Sequence, residues 1–266
     1  MISLITSLYR PGKYLQTYLN NLNAFAKNTS IDLEVIVIGN DLQESELAEL
    51  QKQQKYAPWL KVVDVPRETL YASWNRGVEM AQGEILGFWN VDDVRYFSAL
   101  PDTVELFKKG AELVYFPFFI KRYISIFGKS FLVWKSKIDK AIPEYNNITK
   151  LEFMRSMFCG PFFMFTKSLF GKVGPFDEQF KIAGDFDWCV RVAKLEAKMV
   201  KAKSLAGEFR VDGGGLSAGA NKVVVAETNV VHRRFGVLDK LRPEDTELAA
   251  KYQINSRLYQ GQSIKI

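Results

Sequence analysis

Apolar residues in the first third of the chain alternate between two spacings, and each spacing predicts one kind of element. Short strands are predicted at residues 2–7, 33–39, 60–65 and 85–89, and the β-branched segment 33–39, which does not alternate, is typical of a parallel strand covered on both faces. The intervening segments predict helices at about residues 44–56 and 71–82 and, after Pro11-Gly12, one with the apolar stripe Leu15, Tyr18, Leu19, Leu22 and Phe25. Such repeated strand–helix units predict an α/β fold with a doubly wound, mainly parallel sheet.

The second half of the chain is less regular. Strands are predicted at about residues 113–118 and 161–165, and alternation around Gly128 predicts a hairpin over residues 119–134. A polar loop at 135–150 precedes a short helix, and Gly213–Gly215 marks another loop. Further helices are expected at 185–198, 219–235 and 243–252. With no internal repeat or linker, we expect one domain to residue 236 and a helical extension at 237–266.

Composition indicates an ordinary globular protein. The chain has 266 residues, of which 47% are hydrophobic and 25% charged, so disorder is not expected. No run of about 18 uncharged apolar residues occurs, and the first residues lack the basic segment of a signal peptide. Cys159 and Cys189 lie in apolar surroundings without metal-type spacing, which is typical of buried thiols in a reducing compartment. We therefore predict a cytoplasmic protein.

A net charge of +6 indicates an anionic partner, but charge alone leaves three kinds open. These are nucleic acid, a phospholipid surface and a phosphorylated small molecule. The basic residues are spread along the chain and form no long run. The segment 119–134 mixes aromatic residues with Lys and Arg, so it suits either a hairpin packed on the core or a peripheral contact with an anionic membrane.

Polar side chains follow three of the predicted strands. Ligands of open parallel sheets bind beyond the carboxyl ends of the strands, so these side chains are expected to converge on one crevice. They are Thr6, Ser7, Asn40, Asp41, Asn90, Asp92 and Asp93. The chain has neither of the glycine-rich loops that cradle phosphates, so a bound diphosphate would need a divalent cation held by carboxylates. Asp92 and Asp93 could supply them, or could instead cap a helix or shape a turn.

Five segments, in order, resemble family 2 glycosyltransferases. The most specific is residues 71–93, YASWNRGVEMAQGEILGFWNVDD, which is similar to that family's Asn-(Lys/Arg)-Gly helix, Ala-x-Gly-Glu turn and strand ending in (Asp/Asn)-x-Asp-Asp. The others are TSLYRPGKY (6–14), EVIVIGND (34–41), VGPFDE followed by GDFDW (173–178 and 184–188), and FRVDGGGLS (209–217). The resemblance spans about residues 1–235. It implies a GT-A fold with a nucleotide-sugar-binding half (1–97) and an acceptor-binding, catalytic half (98–236).

The resemblance also implies an activity and a set of site residues. The activity is inverting transfer of a sugar from a nucleotide diphosphate to a hydroxyl of a saccharide or lipid-linked saccharide, in surface polysaccharide or glycoconjugate synthesis, with Mn²⁺ or Mg²⁺ as cofactor. Thr6 and Tyr9 would contact the nucleoside, Asn40 the base, and Asp92 the metal, with Asn90 first in the Asp-x-Asp-like motif. Ser7, Asn75 and Arg76 are placed in the donor site, and Asp93 is a second metal ligand.

Three residues depart from the family pattern. Asn40 stands where the family often has Asp, so no preference for uracil follows. Asn90 replaces a common carboxylate, which predicts weaker metal binding. Gly184 replaces an acidic residue that often precedes the catalytic Asp, which leaves Asp185 as the candidate base.

Asp185 also suits the chemistry of the reaction. A sugar hydroxyl is a weak nucleophile, so a positioned carboxylate must take its proton during attack. Asp187 lies two residues further on and does not share a helical face with Asp185. The alternative is that Asp185 caps the helix that it opens. The resemblance favours the base.

His232 and two arginines are further candidates for the site. His232, the only histidine, could be a metal ligand, but its place near the end of a predicted helix favours an interaction with the helix dipole. Arg76 and Arg210 could face a diphosphate or lie on the surface, and only Arg76 adjoins a matched residue, Asn75.

Two alternative functions stay open: a catalytically silent sugar-nucleotide-binding homologue, suggested by Asn90 and Gly184, and a basic nucleic-acid-binding domain, for which no reading helix or basic face is evident.

Overall fold

Two β-sheets and eight α-helices make up the part of the chain that the structure describes. The structure is a computed structural model, and it describes residues 1–27, 30–127, 129–139, 157–213 and 222–251. The strands are β1 (Ile2–Leu8), β2 (Leu33–Asn40), β3 (Leu60–Val65), β4 (Ile85–Phe88), β5 (Val94–Arg95), β6 (Leu113–Tyr115), β7 (Phe118–Ile126), β8 (Lys129–Ile138), β9 (Met164–Thr166), β10 (Met199–Lys201) and β11 (Gly207–Val211). The helices are α1 (Leu15–Lys27), α2 (Glu44–Tyr56), α3 (Leu70–Met80), α4 (Leu100–Lys108), α5 (Lys167–Val173), α6 (Gly184–Lys194), α7 (Lys222–Arg234) and α8 (Pro243–Lys251).

The larger sheet has seven strands in the order β10-β6-β9-β4-β1-β2-β3. The neighbours β4, β1, β2 and β3 are parallel, as predicted. The strand expected at 161–165 is β9, and it is antiparallel to both β4 and β6, so the sheet is mixed at this point. β10, which was not predicted, pairs in parallel with β6.

Both faces of this sheet are covered, which explains why its strands are apolar without alternation. On one face, every residue of the predicted α1 stripe is buried against β1 and β2. On the other face, α3, α6 and α7 contribute Trp74, Trp188 and Val230 to a second core, which also includes Ala249 of α8. The first described residues of the predicted extension 237–266 therefore pack on the domain.

Gly77 of α3 shows how closely the helix and the sheet pack. A Cβ at this position would lie 2.3 Å from Cγ2 of Ile5 on β1, so any larger side chain would push α3 off the sheet. The glycine of the Asn-Arg-Gly motif thus brings the N-terminus of α3 to the carboxyl edge of the strands.

The smaller sheet has the order β5-β11-β7-β8. The predicted hairpin forms β7 and β8, which pair in antiparallel fashion. β11 pairs in parallel with β7 and in antiparallel fashion with β5. Neither β5 nor β11 was predicted, because each is short and is held in place by strands distant in sequence. This sheet carries the segment 209–212 to the end of β4.

Several predictions fall on residues outside the described ranges. They concern Gly128, most of the loop 135–150, the short helix after it, Gly214, Gly215, the start of the helix expected at 219, and residues 252–266. Among the helices that the structure does describe, none has both the length and the hydrophobicity to cross a membrane.

Candidate active site

The carboxyl ends of β1, β2, β3 and β4 lie along one edge of the larger sheet, because these strands are adjacent and parallel. The residues that follow the strands therefore surround one crevice, as expected for an open parallel sheet. They separate into two layers. Some side chains reach the surface of the crevice, and others are buried beneath it and hold its loops.

Tyr9 is the aromatic side chain on the surface layer after β1. It is 39% exposed, and the guanidinium groups of Arg10 and Arg67 lie 5.2 and 4.7 Å from its ring centre. Arg10 forms a 3.4 Å ion pair with Asp41, and both residues have positive φ angles, 44° and 56°. Such strained backbone recurs at ligand sites. An exposed ring between two cations can stack on a base and attract phosphate. The sequence analysis did not single out Arg67, which follows β3.

Thr6 and Asn40 belong to the buried layer, which corrects the expectation that they touch the nucleoside. Thr6 is fully buried and accepts a 2.8 Å hydrogen bond from the Tyr18 hydroxyl. The Asn40 amide donates to the Glu68 carbonyl oxygen and to Ser73 Oγ, at 2.8 and 3.3 Å. Its oxygen accepts from the Glu68 N–H at 2.9 Å. Asn40 thus uses its oxygen and one donor to hold the loop after β3, which carries Arg67, and its other donor to contact the first turn of α3.

Asn75 and Arg76 are also engaged within the protein. Asn75 is buried, donates to the Phe176 carbonyl oxygen and to Glu178, and accepts from the Phe176 N–H at 2.9 Å. The family-like asparagine therefore joins α3 to the segment 176–178, and its amide is occupied by these contacts. Arg76 lies near the surface in an ion pair of 2.8 Å with Glu68. Ser7, by contrast, is half-buried at the edge of the crevice.

Asp92 and Asp93, after β4, have opposite environments. Asp93 is buried, and its two oxygens accept 3.0 Å hydrogen bonds from the Arg210 N–H and from Asn90 Nδ2. Asp92 is half-buried, and no hydrogen bond joins its carboxylate to another residue in the described part of the chain. The carboxylate available to a ligand is therefore that of Asp92, whereas Asp93 fastens the strand end to β11.

A second carboxylate lies close to Asp92. Partial burial, and next the negative charge of Asp212, raise the pKa of Asp92, while the Arg210 guanidinium acts in the opposite direction. Asp212 itself accepts hydrogen bonds from the Tyr14 hydroxyl, Lys13 and Arg210. The sequence analysis quoted Asp212 in a family-like segment but assigned it no role. The pairing of β11 with β5, which are far apart in sequence, brings Asp212 close to Asp92.

These residues are compatible with one divalent cation. Among the described residues, no group of three or more His, Cys, Asp and Glu side chains could enclose a metal ion. A cation bound through one carboxylate, with phosphate oxygens and water as the other ligands, needs no such group. Asp92 supplies an available hard oxygen ligand, and the nearby Asp212 adds negative charge. The donor set fits Mg²⁺ or Mn²⁺ bound together with a diphosphate.

Asp185 is the second residue of α6, and the helix begins next to the N-terminus of α3. Its Oδ1 accepts a 2.7 Å hydrogen bond from the Phe186 N–H, and the Tyr71 hydroxyl of α3 lies 3.4 Å away. No other described residue donates a hydrogen bond to Oδ2, and no fully buried side-chain oxygen of the described residues lacks a partner, so Oδ2 keeps some exposure to solvent. The carboxylate thus makes a cap-like contact with one oxygen and leaves the other available.

Burial raises the pKa of Asp185 from an ordinary value of 3.8 to about 6. The hydrogen bonds from the Phe186 N–H and from Tyr71 lower the pKa, and the charge of Glu227 adds a further small increase. A carboxylate with this pKa is deprotonated at neutral pH and is a stronger base than an exposed one.

Asp187 and Glu178, the alternative bases, are bound to other groups. Asp187 is 1% exposed and forms 3.0 Å ion pairs with Arg191 and Arg234. Glu178 accepts the 2.9 Å hydrogen bond from Asn75. His232 lies in the last turn of α7 with its ring edge-on to Phe186, 5.7 Å between centres, as the helix-end interpretation expects.

Comparisons with known proteins were made on sequence and on structure. The family model described as Glycosyl transferase family 2 matches residues 3–174, more than half of the chain. No curated protein sequence matched.

Among solved structures, residues 1–349 of S. aureus TarS in complex with UDP-GlcNAc match with a TM-score of 0.63 and 19% identity, over 95% of this chain and 71% of that one. Against a longer TarS chain the TM-score is 0.60 at 16% identity, and this chain spans 42% of its length. The mannosyltransferase PcManGT from Pyrobaculum calidifontis, in complex with GDP-Man and Mn²⁺, matches with a TM-score of 0.59 and 13% identity, over 95% of this chain and 68% of that one.

Proposed function

Because this chain belongs to glycosyl transferase family 2 and has the GT-A fold, we propose that it transfers a sugar, with inversion, from a nucleotide-diphosphate donor to an acceptor hydroxyl. The observation that carries this proposal is the contrast between Asp92 and Asp93. Both carboxylate oxygens of Asp93 accept hydrogen bonds that hold the end of β4, whereas the carboxylate of Asp92, close to Arg210 and Asp212, is available to a ligand. A strand end built in this way suits a metal-bound diphosphate.

The donor is proposed to lie across the carboxyl edge of β1 and β4. Tyr9 stacks on the base, and Arg10 and Arg67, whose guanidinium groups lie over its ring, attract the diphosphate. Complexes of structurally similar proteins with UDP-GlcNAc and with GDP-Man support a nucleotide sugar as the donor class. The expected contact of Asn40 with the base is replaced by an indirect role, in which Asn40 holds the loop of Arg67.

Asp92 would hold the cation, which, when bound, neutralises charge on the departing diphosphate. Asp93 leaves the proposed ligand set because both of its oxygens are occupied. Arg210 lies next to Asp92 and provides a fixed positive charge on the side of the smaller sheet. Fixed charges of this kind stabilise a leaving group without reorganisation during the reaction.

Asp185 is proposed to act as the general base. Oδ2 takes the proton of the acceptor hydroxyl while the hydroxyl oxygen forms a bond to the anomeric carbon. The bond from that carbon to the diphosphate oxygen breaks, and its electron pair leaves with the diphosphate. Attack opposite the leaving group inverts the anomeric configuration. The Phe186 N–H donates to Oδ1, and the Tyr71 hydroxyl lies 3.4 Å from that oxygen, so the carboxylate is kept in one orientation.

The acceptor is proposed to be a saccharide or a lipid-linked saccharide, in the synthesis of a surface polysaccharide or glycoconjugate in the cytoplasm. This part of the proposal rests on the family alone. Analysis of products from a panel of acceptors would define it.

The test is a transfer assay with a panel of nucleotide-diphosphate sugars, with Mn²⁺ and with chelator. We expect turnover of one donor class, its loss on chelation, and a decrease of at least about 10²-fold in Asp92→Asn. Asp32→Asn is the matched control, because Asp32 is an exposed carboxylate at the opposite edge of the sheet, and it should be neutral.

Two outcomes would contradict the proposal. Metal-independent turnover would show that the reaction needs no cation. Full activity of Asp92→Asn would show that Asp92 does not bind one. Donor binding without turnover of any acceptor would instead favour the catalytically silent homologue suggested by Asn90 and Gly184.

A further inference from the structure

The β7–β8 hairpin has two different faces, which the strand register defines. Residues directly opposite one another in an antiparallel pair share a face. The pairs Arg122–Trp134, Ile124–Phe131 and Ile126–Lys129 therefore lie on one face, and Tyr123–Leu132 and Lys121–Lys135 lie on the other. We call the first the outer face and define it by Arg122, Ile124, Ile126, Phe131 and Trp134.

The outer face is apolar and exposed. Ile124, Ile126, Phe131 and Trp134 are each between 43% and 48% exposed, although side chains of this kind are usually buried. Phe127 continues the face at the turn, where it is fully exposed and has a φ of +49°. The hairpin therefore does not pack this face on the described core, which was one of the two expectations for residues 119–134. An exposed apolar cluster of this kind marks an interaction site.

The charge of the hairpin restricts what can cover the outer face. Residues 118–138 contain five basic residues and no acidic residue. Lys121 pairs with Glu208, and Lys137 pairs with Asp139. Arg122 and Lys135 instead contact the rings of Trp134 and Phe119, at 5.9 and 3.8 Å. Of these two, Arg122 lies on the outer face, where its charge remains available to an anionic surface.

A second copy of the chain suits this hairpin poorly. β8 is the edge of the smaller sheet, and its Lys135 and Lys137 would face like charges if two such edges paired. Two outer faces would likewise bring their basic residues together. Aromatic and aliphatic side chains flanked by Lys and Arg instead match the boundary between the headgroups and acyl chains of an anionic bilayer.

We propose that the outer face and Phe127 insert into the surface of a membrane that contains anionic lipid, with Arg122 contacting the headgroups. The inner face carries Tyr123, which lies under the Arg210 guanidinium at 4.0 Å. A docked hairpin would therefore hold the crevice of Asp92 close to the bilayer. The docking itself is independent of catalysis.

The test is sedimentation of the protein with phosphatidylglycerol–phosphatidylcholine vesicles and with vesicles of phosphatidylcholine alone. Wild-type protein should bind the anionic vesicles at least about tenfold more tightly, and added salt should weaken the binding. Phe127→Ser with Trp134→Ser should weaken it about tenfold or more, and separately Arg122→Gln should weaken it about fivefold. Melting temperatures should stay unchanged, because these side chains are exposed.

Helix α2 provides matched controls. Tyr56 is 81% exposed, and Lys52 and Lys55 are exposed on the same helix. Tyr56→Ser, and Lys52→Gln with Lys55→Gln, should bind vesicles like the wild type. In the unmodified protein, tryptophan emission should shift to shorter wavelength with anionic vesicles, and Trp134→Phe should abolish most of that shift.

Three results would overturn the proposal. The first is equal binding to both kinds of vesicle or to neither. The second is an equal loss of binding in the hairpin variants and the α2 variants. The third is a hairpin-dependent change of oligomeric state without vesicle binding, which would assign the outer face to a second copy.

Discussion

Asp185 combines two properties that are seldom found in one carboxylate, since it is buried enough to be a strong base and still exposes one oxygen. Burial raises its pKa to about 6, and no other described residue donates a hydrogen bond to Oδ2. A carboxylate that only capped α6 would not need an exposed oxygen. The residue is therefore best tested by a change that removes the charge and retains the cap.

Asp185→Asn is that change, because the asparagine oxygen still accepts from the Phe186 N–H. We expect turnover to fall by about 10²–10⁴-fold with donor affinity retained. Near-normal turnover would reduce Asp185 to a cap. In the wild type, turnover should fall as the pH drops below about 6, since only the deprotonated carboxylate accepts a proton.

The same variant makes a prediction for stability. The folded pKa lies above its ordinary value of 3.8, so the charged form is disfavoured on folding. The resulting cost is present above pH 6 and disappears below pH 4. Asp185→Asn should therefore raise the unfolding free energy by on the order of 2 kcal/mol at neutral pH and leave it unchanged at pH 4. Thermal melts at the two pH values check this, and a lower melting temperature at neutral pH would contradict it.

Gly184 shows why a departure from a family pattern need not mean lost function. A Cβ at this position would lie 2.6 Å from the ring of Tyr71, so no acidic side chain fits there. The Tyr71 hydroxyl instead donates a 2.5 Å hydrogen bond to the Ile182 carbonyl oxygen and lies close to Asp185. The space of the missing side chain is filled by a residue that helps to orient the candidate base.

At the scale of elements, the loop before α6 depends on one side chain of α7. Glu227 is fully buried and accepts hydrogen bonds of 2.8 to 2.9 Å from the N–H groups of Lys181, Ile182 and Ala183. Burial raises the pKa of Glu227, and these three N–H groups partly offset that effect. The start of α6, and with it Asp185, is thus positioned from a helix far along the chain.

Glu227→Gln should loosen this loop, because one carboxylate oxygen becomes an amide that cannot accept from the N–H groups. Leaving one or two of them unpaired should cost about 1–3 kcal/mol of unfolding free energy and lower kcat more than the affinity for the donor. Glu247→Gln on α8 is the control, since Glu247 is exposed, and its effect should stay within about 0.5 kcal/mol. Unchanged stability and kcat in Glu227→Gln would exclude this positioning role.

At the scale of the molecule, a buried ion-pair network joins the end of α7 to α6 and to the segment 173–178. Arg234 is fully buried and contacts Asp177 at 2.6 Å and Asp187 at 3.0 Å. Asp187 is also paired with Arg191, whose guanidinium donates to the carbonyl oxygens of Val173 and Pro175. Two family-like segments, 173–178 and 184–188, are therefore held together by charges that take no part in the proposed chemistry.

Arg234→Met should destabilise the protein by about 3–5 kcal/mol, because it leaves two buried carboxylates without this cation. The neighbouring Arg233 is exposed on the same helix, so Arg233→Met should change the unfolding free energy by no more than about 0.5 kcal/mol. Chemical denaturation of both variants gives the comparison. Equal stability of the two would show that the network contributes little.

The sequence by itself determined every strand of the larger sheet except β10, and the edge at which the proposed site lies. Strand and helix patterns depend on residues close in sequence, and the carboxyl ends of parallel strands must share an edge. The family-like motifs, the placing of Asp92 and Asp185 and the two-stranded hairpin all followed from such local information. The family itself is confirmed by the match over residues 3–174.

Only the tertiary structure decided which polar residues at that edge are available to a ligand. Asp92 and Asp93 are adjacent in sequence, and what separates them is a hydrogen bond to Asp93 from Arg210, 117 residues away. Asn40 and Asn75 are likewise occupied by partners 28 to 103 residues distant. Whether a side chain is available to a ligand depends on which residues lie next to it in space. The spacing of residues along the chain does not reveal those neighbours.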